Sequence, residues 1–89
     1  SQTVQEVYLS DPVPNPASAK VRFSTGCPVS AANARLVVAG TEGKELISMP
    51  VSAGNHESLI DVSSLSPGLY FCSLVVSNQI IATKKLIKL

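Results

Sequence analysis

The sequence predicts an all-β fold, an immunoglobulin-like antiparallel β-sandwich of about seven strands. Three observations carry this. Short runs of β-branched and aromatic residues are separated by Gly, Pro, Asn and Asp clusters at spacings of roughly 8 to 12 residues. No segment reads as a helix. The 89 residues are 45% apolar and 15% charged, too hydrophobic for disorder, yet so few that the core must be thin.

Taken in order, Val4 to Leu9 is rich in β-formers and reads as the first strand. Asp11-Pro12-Val13-Pro14-Asn15-Pro16 holds three prolines, which fix φ and remove backbone donors, so an extended connection follows. Lys20 to Ser24 alternates polar and apolar, as a half-buried strand should. Gly26 to Asn33 reads as loop. Arg35 to Ala39 is a short apolar strand, and Thr41-Glu42-Gly43-Lys44 is its hairpin turn, with Gly43 suited to the left-handed position. Glu45 to Val51 is expected to pair back, with Pro50 at an edge or at the end of the pairing. Ala53-Gly54-Asn55 is the next turn, leading to Glu57 to Val62.

Ser66-Pro67-Gly68-Leu69 places Pro and Gly at the two central positions of a type II turn, whose second central residue needs φ > 0. Beyond it, Tyr70, Cys72, Leu74 and Val76 face one way and Leu69, Phe71, Ser73 and Val75 the other. Both rows are largely apolar, which marks a central strand. Tyr70 reads as a core aromatic whose hydroxyl reaches a backbone group. Ser77-Asn78 is a hairpin signal without glycine, and Gln79 to Leu89 is the last strand. There is no Trp, so the likeness to antibody domains is one of architecture only.

Composition narrows the chemistry. A net charge of +1 gives no global field for nucleic acid or an anionic membrane. The densest apolar run, Leu69 to Val76, falls far short of the ~18 to 20 residues of a membrane helix, so a soluble chain is expected. There is no initiator Met and no basic, apolar start of a signal peptide, and a piece of a longer protein is expected. Cys27 and Cys72 permit a disulfide without demanding one; two thiols are the favoured reading, with Cys72 as a small buried hydrophobe. The lone His56 has no partner in sequence for metal or nucleophile chemistry. Asp11, Glu42, Glu45, Glu57 and Asp61 fall in turns or at exposed strand positions, and no pair of them is spaced as an acid and base couple. No catalytic, metal-binding or cofactor-binding residue is identified, and an enzyme is not expected.

The tail carries the strongest pattern. Lys84, Lys85 and Lys88 are three of the seven basic residues and fall within Lys84-Lys85-Leu86-Ile87-Lys88-Leu89. Taken alone, lysines on a terminal strand protect an edge from aggregation. The order of motifs says more. Pro14-Asn15-Pro16-Ala17, a mid-chain hairpin around Gly43-Lys44, the block Asp61-Val62-Ser63-Ser64-Leu65-Ser66-Pro67-Gly68-Leu69-Tyr70 and the Lys-Lys-Leu end together resemble the type A C-terminal sorting domain of type IX secretion (the Por secretion system). The resemblance covers about Tyr8 to Leu89. Departures are Val13, where an aromatic often precedes Pro-Asn-Pro, and Ala39 and Gly40, where the family often has Tyr and Asp.

The resemblance implies a delivery label of Bacteroidetes-type bacteria. Residues 1–10 form the junction to a covalently linked N-terminal cargo together with the first strand, and 11–89 form the sorting domain, one sandwich with residues 4–9. The cargo passes through the periplasm and crosses the outer membrane by the type IX translocon. A sortase-like protease is then expected to remove the domain and anchor the cargo at the cell surface, usually on anionic lipopolysaccharide, or leave it outside the cell. On this resemblance, Lys84, Lys85, Leu86, Ile87, Lys88 and Leu89 are expected to be the translocon recognition residues, read by strand addition at an exposed edge. Pro14, Asn15, Pro16, Gly43, Asp61, Leu65, Gly68 and Tyr70 are fold-critical, with Pro14 to Pro16 as a rigid connector in which Asn15 forms a local turn. The terminal strands also offer a route to a homodimer. Two other functions compete: a carbohydrate-binding or adhesive immunoglobulin-like module, disfavoured by 4% aromatics, and a structural spacer, which leaves the tail unexplained.

Overall fold

Seven antiparallel strands make two facing sheets in the computed structural model, which describes residues 8–27, 33–52 and 54–89. They are β1 (Tyr8–Leu9), β2 (Lys20–Cys27), β3 (Arg35–Ala39), β4 (Glu45–Pro50), β5 (Gly54–Asp61), β6 (Gly68–Val76) and β7 (Gln79–Lys88). One sheet has the order β1-β2-β5, the other β4-β3-β6-β7. The chain therefore changes sheet between β2 and β3, β4 and β5, and β5 and β6. This is an immunoglobulin-like arrangement in which the fourth strand pairs with the third.

The alternation expected along β2 is what builds the core. Val21, Phe23 and Thr25 are fully buried while Lys20 and Arg22 are exposed. Across the gap, Leu36 and Val38 of β3, Cys72 and Leu74 of β6 and Leu86 of β7 are fully buried, and Ile60 and Val62 join from the β5 end. A fully buried Val, Leu, Ile or Phe side chain contributes roughly 1.5–3 kcal/mol relative to exposure, so this single layer is the main favourable term. β6 lies between β3 and β7, the central place its two apolar rows called for.

Several turns follow the sequence closely. Gly43 has φ +91°, and the hairpin is closed by the Gly43 amide donating to the Gly40 carbonyl at 3.0 Å and the Gly40 amide to the Lys44 carbonyl at 3.1 Å. Ser77 and Asn78 both have positive φ, 52° and 66°, as the tight β6–β7 hairpin requires of a two-residue loop. Asp61 accepts from the Ser63 amide at 2.9 Å and the Ser63 hydroxyl at 2.6 Å, closing a local turn that sends Val62 and Leu65 toward the core. Tyr70 is buried, and its hydroxyl donates to the Ser66 carbonyl at 2.5 Å, a tyrosine corner in the sense used for immunoglobulin-like domains.

Other boundaries moved. Gly26 and Cys27 belong to β2, paired with Asn55 and Gly54, which themselves belong to β5 and not to a turn. The long β2–β5 ladder supplies partners for these backbone groups, and that outweighs the turn preference of the residues. Gly68 has φ +149°, far from the roughly +80° of a type II turn. It opens β6 opposite Lys88, so the ladder begins one residue earlier than a closed turn allows. The expected strand residues 4–7, most of the 26–33 loop (28–32) and Ala53 lie outside the described residues.

Candidate functional site

The candidate site is the end of β7 and what holds it. Along β7 the side chains alternate with period two. Leu86 is fully buried and Lys88 is 7% exposed, both on the core side, whereas Lys85, Ile87 and Leu89 are exposed. Lys84 is half-buried on the core side and pairs with Asp11 at 3.3 Å. The Lys88 ammonium donates to the Leu89 backbone oxygen at 3.0 Å. The six tail residues named from the sequence therefore divide: Lys85, Ile87 and Leu89 are accessible, Lys84 partly so, and Leu86 and Lys88 belong to the interior.

The outer edge of this segment is occupied. The chain from Tyr8 first runs along β2, where the Val13 amide and carbonyl exchange hydrogen bonds with Arg22 at 3.0 and 2.7 Å. It then crosses to the other sheet through Pro14, Asn15 and Pro16, with cis peptide bonds preceding both prolines. Ala17, fully buried, pairs in parallel with Lys88: its amide donates to the Ile87 carbonyl at 2.8 Å, and the Leu89 amide donates to its carbonyl at 2.8 Å. The Asn15 side chain donates to the Lys85 carbonyl at 3.1 Å and accepts from the Ile87 amide at 2.9 Å. Asn15 thus does not make the local turn expected of it. It reaches across the fold, and the open edge expected for strand addition is closed from Lys85 to Leu89.

The side chains of β7 that stay accessible lie on the outer face of the four-stranded sheet. Opposed residues of an antiparallel pair share a face, and the register sets Lys85 opposite Phe71, Ile87 opposite Leu69 and Thr83 opposite Ser73. Ser73 and Thr83 hydroxyls are hydrogen-bonded at 3.1 Å. Farther along, Val37, Phe71, Val75 and Ile80 line an open, mostly apolar groove of about 440 Å³, bordered by the Arg35–Glu45 ion pair at 3.2 Å. No signal in a single strand's sequence marks this face; it exists only once β3, β6 and β7 are in register.

Both cysteines are free and buried, and burial pushes the Cys72 thiol up to about 12 and raises that of Cys27. The Ser63 hydroxyl, then the Ser63 amide, hold the Asp61 carboxyl below its ordinary range, with Lys20 adding a smaller effect. Asp11, Glu42, Glu45, Glu57 and His56 are exposed. Among the described residues, no group of three His, Cys, Asp or Glu could hold a metal ion, and no helix is long and apolar enough to cross a membrane.

Neither a curated protein nor a solved structure matches the chain significantly. One family does, described as the secretion system C-terminal sorting domain, and it matches residues 13–89. The match begins next to Pro14-Asn15-Pro16 and runs through the tail that Asn15 holds. A sequence pattern spanning nearly all of a seven-stranded sandwich, from the sheet crossing to the last strand, identifies the chain as a member of the type IX secretion C-terminal sorting domain family, a signal for export across the outer membrane.

Proposed function

We propose that the outer face of β7, with Lys85, Ile87 and Leu89 as its contact residues, is read by the type IX translocon while Leu86 and Lys88 anchor the strand from within. What supports this is the division of the tail by its alternation: one row completes the core, and the other presents a cation followed by two apolar side chains, next to an open apolar groove. The domain follows a covalently linked cargo through the periplasm. A sortase-like protease then cuts within or just before the first few residues of this chain, on the N-terminal side of Pro14-Asn15-Pro16, and the cargo stays at the cell surface. On β7, self-association through the terminal strands is restricted in this reading to Gln79–Thr83, because Asn15 and Ala17 occupy the edge beyond; β1 is the other terminal edge.

The test is a reporter fused ahead of this chain and expressed in a bacterium with a type IX machinery. Lys85→Glu combined with Ile87→Ser alters the exposed row and leaves Leu86 in place. Reporter carrying the uncut domain is expected to accumulate in the periplasm, whereas wild-type fusion reaches the surface with the domain removed. Normal surface delivery of the double variant would overturn the proposal.

A further inference from the structure

The hydrogen bonds at Asn15 have the pattern of a parallel β-ladder, made by a side chain. Ala17 binds as a ladder residue opposite Lys88, donating to residue 87 and accepting from residue 89. A parallel strand continued two residues back would have the backbone of residue 15 donate to Lys85 and accept from Ile87. Those two bonds are present, but the Asn15 carboxamide makes them. A carboxamide carries the same N–H donor and C=O acceptor as a peptide group. Pro14 and Pro16 on either side fix φ around Asn15, and in this stretch the bonds to Lys85 and Ile87 come from the Asn15 side chain.

We propose that Asn15 is the positioning residue of the sorting signal. It completes the ladder along β7 by imitating a peptide unit, so that Lys85 to Leu89 reaches the translocon as a closed strand read through its side chains and not through its backbone edge. This rests on the reading of the tail given above. The side-chain requirements are specific. Aspartate keeps the acceptor for the Ile87 amide but sets a carboxylate oxygen against the Lys85 carbonyl, alanine removes both bonds, and glutamine is one carbon too long for the position. Strand addition at Lys85 to Leu89 would have to displace four hydrogen bonds, two from Asn15 and two from Ala17, each 2.8–3.1 Å long.

The experiment has two readouts on the same variants. Amide hydrogen exchange on the 89-residue chain reports whether the edge is closed, and the reporter fusion reports export. Asn15→Ala should speed exchange at the Ile87 amide by at least about tenfold and cut surface delivery several-fold. Asn15→Asp should fall between alanine and wild type in both. A change in stability alone is separated by Ile60→Val, a core variant on β5 of the other sheet that is expected to lower the melting temperature comparably and to export normally. Normal or improved export of Asn15→Ala overturns the proposal, as does an Ile87 amide still protected in that variant, or an equal export defect in Ile60→Val. Normal export of the Lys85→Glu/Ile87→Ser variant removes the tail reading beneath it. A defect there with normal export of Asn15→Ala removes the role of Asn15 alone.

Discussion

Replacing Leu86 and Lys85 separately by alanine probes the alternation on which the site depends. Leu86 is fully buried in the common core, and Lys85 beside it is exposed. Leu86→Ala removes a packed side chain and leaves a cavity, a loss of about 2–5 kcal/mol. A domain of this length has a total stability of roughly 4 to 13 kcal/mol, so one substitution takes a large share of it. At roughly 4–8 °C per kcal/mol for domains of 60–100 residues, the melting temperature should fall by at least about 8 °C. Lys85→Ala changes a solvated position and should stay within about 0.5 kcal/mol. Ile87→Ala, at a residue 39% exposed, should cost about 1 kcal/mol. Urea denaturation followed by far-UV circular dichroism measures all three. Equal destabilisation by Lys85→Ala and Leu86→Ala would refute the register, since a one-residue slip exchanges the two faces.

Three further outcomes are expected. Gly68→Ala should cost about 1–3 kcal/mol in calorimetry, through the backbone alone, because φ is +149° and an added Cβ meets nothing within 4 Å; an unchanged melting temperature would contradict that conformation. Ser63→Ala should raise the Asp61 pKa in a carbon-detected NMR titration. Because the folded value lies below the unfolded one, this carboxylate adds stability above about pH 4, and its contribution is lost as pH falls through the folded value. The wild type and the variant should therefore differ above that range and converge in acid, and an Asp61 titration untouched by the substitution would remove Ser63 as the cause. Cys72, fully buried with its thiol at about 12, should resist alkylation at pH 8 until denaturant is added; rapid labelling of the native chain at this residue would contradict its burial.

Local chemistry made much of the fold legible. β3 runs from Arg35 to Ala39 as expected, because its apolar run is bounded by residues that favour turns, and Gly43 closes its hairpin as its conformational freedom allows. Reading failed where distant strands decide. Gly26, Cys27, Gly54 and Asn55 look like loop residues one by one, but each lies in the ladder between β2 and β5 and finds its backbone partner there. Asn15 is the sharpest case. Its sequence neighbours argue for a local Asx turn, and its actual partners, Lys85 and Ile87, are 70 and 72 residues away. Lys88 could have been placed from sequence. Strand periodicity puts it on the same face as Leu86, and a buried leucine two residues away implies that the lysine stem points inward too.

That shared strand changes what a truncation can show. Removing Lys85 to Leu89 would be expected to strand cargo in the periplasm, but the same cut deletes Leu86 from the core, strips Gly68 to Phe71 of their β7 partners and leaves Asn15 and Ala17 without acceptors. The loss from Leu86 alone can approach the stability of a marginal small domain, so a truncated tail reports unfolding before it reports recognition. In the function proposed above, folding and signalling are coupled because alternate side chains of one strand serve them. In a chain of 89 residues the core is too thin to spare the inward row of an end strand. The coupling also has a physical consequence for the signal: Lys85, Ile87 and Leu89 are held in fixed relative positions only while Leu86 is packed and the edge of β7 is filled. A receptor that needs those positions together therefore discriminates the folded domain from an unfolded tail of the same sequence, without having to touch the core.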